Sequence, residues 1–113
     1  MRAAGTEVNT SVLGSLEDGP EVLIEDGVAK LPDKTSFAGS VATTNLLVKT
    51  MWKDTGIPLI DVIKMISTTP AKIVGINHEL GSIALNKIAD IVIFDEAVNI
   101  KKILKKGIVI KSC

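Results

Sequence analysis

Histidine and cysteine are almost absent from this chain, with one of each, His78 and Cys113, in 113 residues. A lone cysteine excludes an intramolecular disulfide, and its place at the end of the chain speaks against a nucleophile or ligand. A lone histidine excludes a metal site built from several histidines, or a Ser-His-Asp arrangement, within these residues. His78 follows a helix stop in Ile76-Asn77-His78-Glu79 and reads as a solvated loop side chain. Net charge is lacking too, with 13 Lys and Arg against 13 Asp and Glu. That removes the basic excess by which chains hold nucleic-acid backbones or acidic membrane surfaces. No apolar run approaches the roughly 18 residues that cross a bilayer, and the polar, Gly-containing start is not built as an export leader. The expectation is a soluble cytoplasmic protein with no nucleic-acid or membrane partner.

Aromatic residues are also scarce, at 3%, although 46% of the chain is apolar. The length suits one ordinary domain of about 100–150 residues and does not suggest a large self-contained enzyme. Residues 1–19 carry Gly5, Gly14 and Gly19 among Thr, Ser and Asn without a sustained period, which is loop composition. From Glu21 to Leu31 the pattern becomes two short strands, Val22-Leu23-Ile24 and Val28-Ala29, about Asp26-Gly27, a dipeptide suited to positive φ. Pro32-Asp33-Lys34-Thr35 then turns the chain, the proline presetting φ and the aspartate able to accept from the following backbone.

A helix is predicted from Thr43 or Thr44 to Gly56, presenting Leu47, Val48, Met51 and Trp52. A second starts near Pro58 and carries Leu59, Val62, Ile63 and Ile66 at i, i+3, i+4 and i+7. Thr69-Pro70 signals a third, capped by the threonine and stopped at Gly75. Beyond Gly81 the period falls towards two. Strands are predicted at Ser82-Ile83, from Ile88 to Phe94, from Val98 to Leu104 and from Ile108 to Ile110, with Asp95-Glu96 and Lys105-Lys106-Gly107 as turns. Hairpin, helices and then strands describe segregated parts rather than an alternating βαβ array.

Groups able to carry chemistry are few. Most carboxylates fall in turns or on polar helix faces. Asp90 interrupts an apolar strand and needs hydrogen-bond partners, which the backbone amides at that strand's start are expected to supply. Lys101-Lys102 and Lys105-Lys106 lack interleaved aromatics and suit a solvated sheet face or a protected sheet edge. Phe37-Ala38-Gly39 leaves a turn, offers an apolar side chain and ends in a glycine that lets a ligand approach the main chain.

At these residues the chain resembles a known family. The order Met1-Arg2-Ala3-Ala4-Gly5, Asp26-Gly27-Val28-Ala29, Leu31-Pro32-Asp33-Lys34-Thr35 and Phe37-Ala38-Gly39-Ser40 is similar to the C-terminal portion of N-acetylglucosamine-6-phosphate deacetylases. The later runs Thr68-Thr69-Pro70-Ala71-Lys72-Ile73-Val74-Gly75, Gly81-Ser82-Ile83 and Ala89-Asp90-Ile91-Val92-Ile93-Phe94-Asp95 resemble the amidohydrolase superfamily more widely. The resemblance implies an α/β fold. Residues 1–78 would form the C-terminal part of a metal-dependent (β/α)8 barrel, contributing a loop, the hairpin and helices, and residues 79–113 the C-terminal strands of a small β-sandwich domain.

By the same resemblance the parent enzyme removes acetate from N-acetylglucosamine 6-phosphate using a divalent metal such as zinc, and is a homodimer. It assigns substrate binding to Phe37, Ala38 and Gly39. The family's catalytic aspartate and metal ligands match no residue of this chain, so no catalytic or metal-ligating residue is assigned, and the isolated chain is expected to be inactive and to self-associate. Two other readings stay open: a free-standing interaction or scaffold module, and part of an amidohydrolase acting on another substrate.

Overall fold

The computed structural model describes residues 3–112; Cys113 and the Met1-Arg2 start of the resemblance lie outside the described residues. The chain forms two compact units divided between Thr44 and Asn45. The first holds a four-stranded antiparallel sheet of β1 (Thr10–Val12), β2 (Glu21–Glu25), β3 (Val28–Lys30) and β4 (Phe37–Ser40), in that spatial order. The β2–β3 hairpin closes as its sequence predicts. Glu25 pairs with Val28, and the two residues between, Asp26 at φ +53° and Gly27 at φ +76°, both take the left-handed conformation that matches strand twist. Val22 and Ala29 are fully buried and lie on one face of this sheet together with Ile24.

Two strands of that sheet lie where loop was predicted. Thr10-Ser11-Val12 has no apolar alternation, yet pairs through its backbone with Glu21, Val22 and Leu23. Residues 37–40, read as the exit from a turn, form β4 instead. Neither segment buries a hydrophobic stripe of its own, so periodicity could not reveal it.

The second unit contains all but the first residue of α1 (Thr44–Thr55), with α2 (Leu59–Ile66), α3 (Thr68–Ile73) and a three-stranded antiparallel sheet of β5 (Ile91–Phe94), β6 (Ile100–Lys105) and β7 (Ile108–Ser112). Its core is Val48 from α1, Val62 from α2 and Val98 from the β5–β6 connection, wrapped by Met51, Trp52, Ile57, Leu59, Ile63 and Phe94. The predicted helix faces therefore converge, except that Leu47 and Ile66 are turned to solvent. α1 stops where Gly56 adopts φ +74°, as the sequence suggests. At α3 the expected cap is displaced. Thr69 lies inside the helix, Ser67 occupies the N-cap but turns its hydroxyl back to Ile63 O at 2.5 Å and makes no capping bond, and the neighbouring Thr68 hydroxyl donates to Gly81 O at 2.7 Å.

The β end is shorter than predicted. Residues 81–90 are irregular, so Ser82, Ile83 and Ile88 lie outside any strand and β5 begins only at Ile91. The amide of Ile88 makes a single bond, to Glu79 O at 2.9 Å, and no ladder follows from it. β6 likewise begins at Ile100, because Asp95 gathers residues 97–99 into a closed turn. Its Oδ1 accepts the amides of Ala97 at 3.0 Å and Asn99 at 2.9 Å. Within that turn Val98 takes φ +62° and is 3% exposed, a left-handed β-branched residue committed to the core. The β6–β7 turn repeats the hairpin geometry of the first unit, with Lys106 at φ +50° and Gly107 at φ +79°.

The two double lysines are solvated but do not share one sheet face, since Lys102 and Lys105 alternate to opposite faces of β6 and Lys106 lies in the turn after it. Lys101, Lys102 and Lys105 are exposed on β6, and that strand is central, so the alternative of a protected sheet edge is not what forms. Lys101 meets Asp95 Oδ2 at 3.1 Å, and Lys105 pairs with Asp90. No helix among the described residues is long and apolar enough to cross a membrane.

Candidate functional site

The site is built from the β3–β4 connection upward. Pro32 and Asp33 begin the turn, and Asp33 Oδ1 accepts both the Thr35 amide at 3.1 Å and the Thr35 hydroxyl at 2.9 Å. These bonds hold the Asp33 carboxyl below its ordinary range, the Thr35 amide being the larger cause. Lys34 takes φ +57°, its amide bonds to Leu31 O at 2.8 Å, and the Leu31 amide closes the turn on Ser36 O at 3.0 Å. This is the side-chain-to-backbone turn that the Pro-Asp pair predicts.

The chain leaves this turn through a bulge. Val28 pairs with Ser40 and Ala29 with Gly39, but Lys30 pairs with Phe37, so Ala38 is an extra residue with no cross-strand partner. In an unbroken ladder Ala38 would oppose Lys30, and Phe37 would fall on the face that carries Ala29. The bulge moves Phe37 to the other face, beside Lys30, where its side chain is 76% exposed. Bulges re-aim side chains in this way and leave main-chain groups outside the ladder. The three residues marked by sequence are thus brought together on one strand, although nothing in the sequence signals the bulge that orients them.

Phe37 borders an open cavity of about 400 Å³, lined also by Lys30, Lys34, Thr35 and Ser36. Both lysines are met by carboxylates. Lys34 Nζ lies 2.8 Å from Glu25 Oε1, while Lys30 Nζ lies 3.6 Å from Glu25 Oε2 and 3.2 Å from Asp26 Oδ2. The Lys34 hydrogen bond is the main reason the Glu25 carboxyl sits below its ordinary range. The cavity therefore presents hydroxyls, balanced charge and one aromatic face. That combination suits a small, hydroxyl-rich ligand better than a free anion.

Metal ligation is a separate question. Among the described residues no group of three or more His, Cys, Asp or Glu side chains is placed to hold an ion. Asp90 is bound to Lys105 and the Lys106 amide, and Asp95 to Asn99 and Lys101. His78 is 69% exposed in its loop, with Glu79 Oε1 3.6 Å from its Nε2. These residues do not fit a metal centre.

The sequence profile of the Amidohydrolase family matches residues 17–110, five-sixths of the chain. The chain belongs to the amidohydrolase family. Members of this family are generally metal-dependent. Curated relatives include an N-acetylglucosamine-6-phosphate deacetylase of Caenorhabditis elegans, 30% identical over 70% of this chain and 19% of its own. They also include an N-acetylgalactosamine-6-phosphate deacetylase of Escherichia coli, 30% identical over 79% of this chain and 23% of its own. Among solved structures, N-acetylglucosamine-6-phosphate deacetylase from Pasteurella multocida superposes with a TM-score of 0.87 at 31% identity, covering 98% of this chain and 28% of that one. This amidohydrolase chain therefore spans about a fifth to a quarter of the length of these two curated relatives.

Proposed function

We propose that this amidohydrolase chain is part of a cytoplasmic, metal-dependent enzyme that deacetylates N-acetylglucosamine 6-phosphate to glucosamine 6-phosphate and acetate, and that Phe37, Ala38 and Gly39 bind the sugar. The observation that carries the reading is the likeness to the Pasteurella multocida deacetylase over 98% of the chain. The bulge supports the assignment of residues 37–39. It leaves the Ala38 main chain outside the ladder and the Phe37 ring open beside the cavity, two features that hydrogen bonding to a sugar and packing against its apolar face require.

In this reading residues 1–78 correspond to the last loop, hairpin and helices of a (β/α)8 barrel and residues 79–113 to strands of a β-sandwich domain. The parent is a homodimer holding a divalent metal such as zinc, with no nucleic-acid or membrane partner. The isolated chain supplies neither catalytic group nor metal ligand and releases no acetate. Titrating the isotope-labelled chain with N-acetylglucosamine 6-phosphate tests the reading. Chemical-shift changes centred on residues 37–39 are expected, and acetate release above a no-protein control, or shifts confined to other segments, would overturn it. The Escherichia coli relative favours a second reading in which the sugar is the galacto epimer, and the same titration with N-acetylgalactosamine 6-phosphate separates the two by affinity.

A further inference from the structure

The Phe37 ring projects from a short edge strand with 76% of its surface exposed, so little packing fixes its direction. Its two chain supports are the strand opposite and the turn before it, and both carry a lysine. Lys30 is the cross-strand partner of Phe37, and Lys34 occupies the left-handed position three residues ahead of it. Both ammonium groups converge on the carboxylate of Glu25 at the end of β2, Lys34 at 2.8 Å and Lys30 at 3.6 Å. Glu25 pairs with Val28 and lies on the same sheet face as Lys30 and Phe37.

We propose that Glu25 is a positioning residue for the sugar-binding segment: by holding Lys34 and Lys30 together it fixes the turn over residues 31–36 and so the placement of Phe37 beside the cavity. This rests on the reading of residues 37–39 as substrate-binding. One carboxylate bridging two cations from different segments restrains both at once, which a single surface pair does not. The lysines act on the backbone in this arrangement, since each already has a carboxylate partner.

The test uses the full 113-residue chain and charge reversal. The amides of Leu31 and Lys34, which close the turn, report its opening by hydrogen exchange, and the Phe37 ring resonances report its placement. Glu25→Lys and Lys34→Glu should each speed exchange at those two amides by up to about fivefold, the range open to exposed ion pairs. Each should also displace the Phe37 ring signals and weaken binding of glucosamine 6-phosphate by a similar factor. The double variant, which restores opposite charges, should return all three readouts towards the wild type, and Glu25→Gln should fall between. Single reversals that leave exchange and ring signals unchanged, or a double variant no better than the singles, would overturn the proposal. Should the wild type fail to bind the sugar phosphate while the exchange pattern appears as expected, the substrate reading fails and the positioning of the turn by Glu25 stands.

Discussion

Asp90 Oδ1 accepts the backbone N–H of Lys106 at 2.8 Å, which joins the start of β5 to the two-residue turn between β6 and β7. Its other oxygen takes the Lys105 ammonium group, and alongside it the Gly107 amide donates to Ala89 O at 2.9 Å. The predicted role was right in kind and wrong in address. The carboxylate does satisfy a backbone amide, but that amide lies sixteen residues on, in the β6–β7 turn, and not at the start of its own strand. The Lys105 hydrogen bond is the main cause holding the Asp90 carboxyl below its ordinary range. Asp90→Ala should lower the denaturation midpoint and speed amide exchange at Lys106 and Gly107, while Asp90→Asn, whose amide oxygen still accepts, should lose less. Equal exchange in all three proteins would show that the clamp contributes nothing.

Gly81 and Gly75 both take left-handed φ, +86° and +78°, and provide a matched pair. A Cβ on Gly81 would stand 2.5 Å from Ala71 Cβ and 3.1 Å from Ser67 O, whereas one on Gly75 meets open space. Gly75→Ala should cost only the conformational penalty of about 1–2 kcal/mol. Gly81→Ala adds overpacking against α3, for a total of about 2–5 kcal/mol. Denaturant titration decides it, and equal costs for the two substitutions would refute the close approach.

Asp95 gives a pH prediction. Its carboxyl is held far below the ordinary 3.8, first by the Asn99 amide, then by the Asn99 side chain, with Lys101 and the Ala97 amide adding to the effect. A carboxyl whose pKa is lower folded than unfolded contributes stability that is present above the unfolded value and is lost as pH falls towards the folded one. Melting temperature should therefore decline as the solution is acidified below about pH 4, and Asp95→Asn should flatten the decline because that side chain does not titrate. Parallel acid profiles for the two proteins would be the contrary result.

What the sequence made legible was whatever carries a local chemical signature. Asp26-Gly27 and Lys106-Gly107 specify their hairpin turns, Pro32-Asp33 specifies the turn before β4, and the spacing of Leu59, Val62 and Ile63 specifies the buried side of α2. Non-local pairing stayed hidden. β1 exists because its backbone lies against β2, and the bulge at Ala38 is a feature of how β4 pairs with β3. Val98 read as a strand residue because valine favours strands, yet the Asp95 turn forces it into left-handed geometry. The candidate site divides in the same way. Phe37, Ala38 and Gly39 stood out by residue type and by resemblance, while the Glu25, Lys30 and Lys34 cluster arises only when three separate segments are folded together.

The three-stranded sheet of the second unit makes a prediction about association. Its two edges are not equivalent. β7 is exposed along its whole length, but Ile103 pairs with Lys111 and Leu104 with Val109, so Ile110 is an extra residue that bulges this edge, and Lys111 adds charge. Bulges and lysines are both features that discourage edge-to-edge pairing. β5 has neither, because the irregularity in its ladder places the extra residue, Lys101, on β6. Val92 and Ile93 are half-exposed on that uncharged edge. The isolated chain should therefore self-associate through β5, with an average sedimentation coefficient that rises with concentration. Val92→Lys should shift the distribution towards monomer, and Val109→Lys should change it little. Equal effects of the two substitutions would mean that exposed apolar area, and not the open β5 edge, drives association.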